Sequence, residues 1–396
     1  MNFGLSESQR ILKENARKFF INECPMAEVR RIMEETDHAF DAALYRKMAE
    51  QGFTGIIFPE RYGGLGLGKV EMAVLLEEMG WALVPGPYFS SVLLAGTVIE
   101  AAGSETLKQK YLTPLAEGSA RGTLALLESS GSWNLDGISM KARGNVLNGE
   151  KLFVTDAGAA DFLVVAARDG IEPVIVIVDA NTPGVEITPL PAVDPTRKLY
   201  SVVFHSAQGE ILAQGRAAGE ALDKALQIAT AGLAAELTGG MQRGMEIAVE
   251  YAKTRKQFGK PIGTYQAVQH QCADMYVWTE SSRSAALYAA WMLDSSEPAA
   301  STAVAVAKMY ASDAAREVAS RTIQVHGGMG FTWENDCHLY YRRAKASEVM
   351  LGDATFHRDR IAQQVVDAET PLQKDVRDAL SLPEMAALVG GGRHEA

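Results

Sequence analysis

Two stretches of this chain carry residues that could hold a phosphate. The first reads Tyr251-Ala252-Lys253-Thr254-Arg255-Lys256-Gln257-Phe258-Gly259-Lys260-Pro261-Ile262. The Arg255 guanidinium can grip phosphate oxygens in a two-pronged fork that lysine cannot form. The same residues also suit a plain helix end. Basic side chains are favourable near a helix C-terminus, and Gly259 and Pro261 stop the helix. The second stretch is Ile323-Gln324-Val325-His326-Gly327-Gly328-Met329-Gly330-Phe331. Gly327 and Gly328 let a diphosphate approach the backbone closely, with Gln324 beside it. Its plain reading is a glycine cap on a helix. Either motif alone is weak.

The elements that must position these motifs show in the periodicity. Ser8–Phe20 and Asp41–Gln51 have apolar residues at three- and four-residue spacing, and a glycine-rich loop, Pro59 to Gly68, precedes a helix over Lys69–Trp81. From about Arg121 the pattern becomes strand-like. Asp161–Ala167, Val174–Val178 and Val202–Phe204 are short apolar runs, separated by turns such as Asn181-Thr182-Pro183-Gly184. From Ala217 it is helical again, with long alanine-rich stretches at Asp223–Thr254, Tyr265–Asp294 and Ala299–His326, as in a bundle. The expected domains are 1–120 (helical), 121–216 (β), 217–370 (helical bundle) and a tail at 371–396. The fold class is mainly α with a central β-domain.

Composition narrows the function classes. A formal charge of −11 disfavours nucleic acid or an anionic membrane surface as partner. No apolar run is long enough to span a bilayer, and the first residues show no secretory signal. Cys24, Cys272 and Cys337 are odd in number and far apart, which suggests reduced thiols acting as small apolar side chains and no metal site. The expected compartment is the cytoplasm.

Pro59–Gly68, Tyr251–Ile262 and Gln324–Phe331, in a helical–β–helical order, resemble the acyl-CoA dehydrogenase family over nearly the whole chain. The resemblance implies FAD lying between the β-domain and the C-terminal bundle. Arg255, Gln257 and Phe258, with Gln324, Gly327 and Gly328, match segments that serve the adenosine diphosphate part of a neighbouring subunit's FAD. On the β-domain side, the family's Thr-Glu-Pro-x-x-Gly-Ser-Asp corresponds to Leu127-Glu128-Ser129-Ser130-Gly131-Ser132-Trp133-Asn134. Glu128 is kept, the threonine, proline and aspartate are not, and Trp133 adds bulk. A second flavin segment reads Phe153-Val154-Thr155-Asp156.

The departure that matters most falls at Lys345-Ala346-Ser347-Glu348-Val349-Met350-Leu351-Gly352-Asp353. In the common family pattern a glutamate follows the lysine by six residues and abstracts the proton next to the thioester. Leu351 stands there. Some members carry the base as Glu-Arg on the first long bundle helix, and those positions are Ala229 and Thr230 here. Glu236, Glu348 and Asp353 are the remaining candidate bases, each with a plainer reading as a solvated or ion-paired carboxylate. His326 and His357 read as structural. The resemblance therefore points to the base-less subunit of an α2β2 acyl-CoA dehydrogenase acting on a bulky acyl-CoA, of steroid side-chain or dicarboxylate type, with a homologous catalytic partner and an electron-transfer flavoprotein as acceptor. A self-sufficient homotetramer with a relocated base and a non-catalytic scaffold are the alternatives.

Overall fold

A computed structural model describes residues 4–367; the expected tail at 371–396 lies outside them. The central domain is an eight-stranded sheet of β1 (Gly122–Ala125), β2 (Lys141–Arg143), β3 (Val146–Thr155), β4 (Phe162–Asp169), β5 (Glu172–Asp179), β6 (Val185–Leu190), β7 (Leu199–Gln208) and β8 (Glu210–Gln214). The spatial order is β6-β7-β3-β2-β4-β5-β8, with β1 beside β4. The apolar runs of β4 and β5 pair antiparallel, from Phe162 opposite Asp179 to Asp169 opposite Glu172. Along β4, Phe162, Val164 and Ala166 enter the helical core, while Leu163, Val165 and Ala167 enter a second core inside the β-domain. Both faces are covered, so the strand loses the alternation of a half-exposed one. The sheet is mixed: β1 runs parallel to β4, and β2 meets β4 in parallel at Lys141 and Arg168. The sequence reading did not anticipate these pairs, because runs of three or four residues carry almost no periodic signal.

Side-chain caps start several N-terminal helices. Ser6 and Gln9 form a capping box on Glu7–Glu23, and Asp41 and Ser104 cap Ala42–Glu50 and Glu105–Ala116. The bundle is built from Gly215–Thr254, Gln266–Asp294, Ala300–His326, Cys337–Val349 and Ala354–Ala362. The first of these begins at Gly215, close to the expected return to helix at Ala217 and ahead of the alanine-rich stretch from Asp223. Between Thr254 and Gln266 the chain makes a small hairpin, Lys256–Gln257 against Lys260–Pro261, turning through Phe258 and Gly259 at φ of 51° and 81°.

Two glycines set the depth of the interior. A Cβ on Gly80 would lie 1.9 Å from the Glu236 carbonyl oxygen, and one on Gly239 would lie 1.8 Å from that of Glu77. The Lys69–Ala82 and Gly215–Thr254 helices therefore cross backbone to backbone. This crossing sinks Glu236 into the protein, where it is 5% exposed.

Candidate functional site

A cavity of about 380 Å³ opens at the seam between the β-domain and the bundle. The β-domain supplies Leu127, Trp133, Phe153 and Thr155, the loop before β7 supplies Pro191 to Asp194 and Arg197, and the end of the Cys337–Val349 helix supplies Lys345, Ala346 and Val349, followed by Met350. A register irregularity in the pairing with β7, between Lys151 and Val154, falls in the Phe153-Val154-Thr155 segment. Phe153 and Thr155 line the cavity, whereas Val154 is buried in the β-domain core. The Val154 side chain therefore does not face the cavity. Phe153 is 50% exposed and holds a left-handed backbone, φ 54°. A strained aromatic left half in water at a cavity wall is what a flat apolar ligand would cover. A flavin ring fits this lining: apolar walls, one hydroxyl from Thr155, and cationic groups at Lys345 and Arg197.

The floor is a buried ion cluster that the sequence did not reveal. Arg197 Nη2 donates to both Glu236 carboxylate oxygens at 2.8 and 2.7 Å. Arg343 donates to the same carboxylate, to Asp194 and to the Thr196 hydroxyl. Thr196 in turn donates its N–H and hydroxyl to Asp194 at 2.9 and 2.6 Å. Two cations and two anions are thus balanced out of water, the arrangement such charges require. Burial pushes the Glu236 carboxyl up, but the Arg197 and Arg343 guanidiniums outweigh it and hold the group below the usual carboxylate range.

This geometry engages Glu236 in ion pairs, with both oxygens accepting guanidinium hydrogens. It lines two voids, of about 20 and 10 Å³, room for about one water each. The other two candidates are engaged as well. Glu348 accepts from Arg316 at 2.8 Å and from Lys345 at 2.5 Å. The helix ends at Val349, so helical spacing does not relate Glu348 to Leu351. Asp353 caps the Ala354–Ala362 helix, accepting from Phe356 N at 2.8 Å. Neither lines the cavity.

The residues at the positions expected for a base are apolar and enclosed. Ala229 is buried on the long helix, and the Thr230 hydroxyl donates to the Leu226 carbonyl at 2.6 Å. Leu351 is 3% exposed and its side chain joins the helical core. Its φ is 60°, a conformation that leucine adopts only when held there. Two buried groups do the holding. Lys308 Nζ donates to the carbonyls of Glu348 and Gly352 at 3.0 and 2.9 Å and to Ser312 Oγ at 2.8 Å. His357 Nε2 sits 3.0 Å from the Leu351 carbonyl and donates to it. Burial depresses the lysine to about 7 and the histidine to about 4.

The two phosphate-type motifs meet elsewhere. Tyr251 stacks on His326 with ring centroids 4.3 Å apart, which sets the ends of the Gly215–Thr254 and Ala300–His326 helices side by side. Arg255, Gln257, Phe258, Gln324, Gly327 and Gly328 are all exposed there, and Phe258 is 92% exposed. A Cβ on Gly327 or Gly328 would meet nothing within 4 Å. None of the six lines the cavity. Within one chain, then, the ring-sized cavity and the phosphate motifs are separate. His326 bonds the Thr322 carbonyl at 2.8 Å, in keeping with a structural role. Cys24 and Cys337 are buried, while Cys272 is partly exposed, less enclosed than expected; all three are free thiols.

An α–β–α chain with a ligand-sized cavity at the β–bundle seam defines a flavoprotein-dehydrogenase type of scaffold. The acyl-CoA dehydrogenase N-terminal domain matches residues 6–119 and the acyl-CoA dehydrogenase C-terminal domain matches 219–366. Acyl-CoA dehydrogenase IpdE2 of Mycolicibacterium smegmatis is 33% identical over 362 residues, covering 91% of this chain and 100% of the relative. The ChsE4-ChsE5 complex from Mycobacterium tuberculosis contains a chain that superposes with a TM-score of 0.85 at 29% identity, covering 94% of this chain and 100% of that one. A variant of the Tcur3481-Tcur3483 steroid acyl-CoA dehydrogenase matches with a TM-score of 0.81 at 28% identity, covering 94% and 99%. The chain belongs to the acyl-CoA dehydrogenase family, whose members are FAD-dependent oxidoreductases. Among the described residues no helix is long and apolar enough to cross a membrane.

Proposed function

We propose that this chain is the base-less subunit of a heterotetrameric acyl-CoA dehydrogenase acting on a bulky acyl-CoA. One observation carries the reading: the place of the catalytic glutamate holds Leu351, 3% exposed and turned into the core, while Glu236, Glu348 and Asp353 are each tied to other partners. Removing the weakly acidic proton beside a thioester needs a free, positioned carboxylate, and a homologous partner subunit would bring it. FAD, when bound, would accept the hydride from the neighbouring carbon. Phe153 and Thr155 would shape the ring's cavity in this chain. Arg255, Gln257, Phe258, Gln324, Gly327 and Gly328 would serve the diphosphate part of a neighbour's FAD, which accounts for their exposure away from this chain's own cavity. Likeness to a chain of a two-component complex and to a steroid dehydrogenase supports a paired assembly and a steroid side-chain type of substrate. An electron-transfer flavoprotein is the acceptor the family suggests.

The test is assembly. The chain is co-expressed with a homologue from the same genome that carries the glutamate, and the eluted complex is sized by light scattering. Two copies of each chain are expected. A stable homotetramer that ignores the partner and dehydrogenates acyl-CoA unaided would refute the proposal.

A further inference from the structure

The 380 Å³ cavity has a neighbour. A recess of about 280 Å³ lies between the Gly131–Asn134 turn and the start of the Ala354–Ala362 helix. Ser132, Asn134 and Asp353 offer it polar groups, and Val349 and Phe356 offer apolar surface, a lining suited to an extended chain that alternates amides with methylenes. The cavity and the recess share Gly131, Trp133 and Val349, and of these Trp133 has the largest side chain. Its indole packs partly buried against the helical core, and Nε1 donates to the Val349 carbonyl at 3.2 Å. That bond joins residues 216 positions apart and ties the β-domain turn to the end of a bundle helix.

We propose that Trp133 is a specificity-determining barrier: it stops the thioester end of an acyl-CoA in the recess and keeps it out of this chain's cavity. The assignment rests on the reading of the substrate as an acyl-CoA. It explains why a ring-sized cavity survives here without a base. No thioester reaches the cavity, so no base is needed in it.

The experiment uses the full chain with its FAD. A CoA thioether analogue, which cannot be dehydrogenated, is titrated by calorimetry while the flavin absorbance is followed. Wild type should bind weakly and leave the flavin spectrum unchanged. Trp133→Ala should join the two spaces, bind at least about tenfold more tightly and shift the flavin band. Should that variant fail to fold, Trp133→Phe keeps a ring in the core and loses only the tie to Val349; its binding should also tighten. Equal binding by wild type and the folded variants, or binding by none of them, would overturn the assignment. Those results would leave the base-less reading intact, because it fails on a different observation, bleaching of flavin by the unaccompanied wild-type chain.

Discussion

Glu236→Gln separates a structural carboxylate from a catalytic one. The substitution keeps the shape and removes the charge. Arg343 retains Asp194, but Arg197 loses the carboxylate it grips through two bonds of 2.8 and 2.7 Å, and the new amide N–H2 group faces guanidinium donors. Breaking a buried pair by removing one partner costs about 3–5 kcal/mol. Urea unfolding of the assembled protein at fixed concentration should show a loss of that size. The pH dependence follows the same logic. The folded-state carboxyl titrates below its unfolded counterpart, so its contribution is present above the ordinary carboxylate range and is lost as pH falls through the lower, folded value. Glu236→Gln should flatten that acid limb. At a temperature where the variant stays folded, the dehydrogenation rate should fall by less than about tenfold, whereas loss of a general base costs about 10² at minimum. A rate loss of that size with stability unchanged within about 0.5 kcal/mol would refute the structural assignment.

Lys308→Met leaves the Glu348 and Gly352 carbonyls without their donor; about 1–3 kcal/mol of stability should go, and hydrogen exchange through residues 349–353 should quicken, which mass spectrometry would register. His357 titrates at about 4 in the fold, below its free value near 6.5, so the unfolded chain takes up the proton first. Stability should decline as pH falls from about 6.5 towards 4, by on the order of 3 kcal/mol, and unfolding midpoints at pH 7 and 5 should converge in His357→Gln. Arg255→Ala should lower FAD retention of the assembly on gel filtration by removing a charge-assisted phosphate contact worth roughly 1.5–3 kcal/mol; full retention would leave Arg255 as a helix-end charge.

The long helices were legible because their stop signals are local. Tyr265–Asp294 and Ala299–His326 each differ from the observed helices by a single residue at the start, and Gly327 ends the second at φ 59°. β4 and β5 were legible as unbroken apolar runs, since burial on both faces leaves nothing polar to interrupt them. The ion cluster was not. Its members, Asp194, Arg197, Glu236 and Arg343, come from three distant segments that become neighbours only in the fold. Glu236 stood out in sequence as a carboxylate among apolar residues, a pattern shared by a general base and a buried ion pair. The partners that distinguish the two were invisible. A proline-containing loop, Asp194-Pro195-Thr196-Arg197, was the available hint of a second charged element. The pairing of Glu348 with Arg316 and Lys345 was not legible, and its spacing from Leu351 carries no face relation because Leu351 lies past the helix end.

The most direct test of the base-less account is a single-turnover measurement with the purified, FAD-loaded chain. Acyl-CoA is mixed in stopped flow and the oxidised flavin band is followed, first with this chain alone and then after assembly with the glutamate-bearing partner. The account predicts no acyl-CoA-dependent bleaching by the lone chain and rapid bleaching by the assembly. Rapid bleaching by the lone chain, abolished by replacing Glu236, Glu348 or Asp353 with its amide, would contradict the account and identify the base.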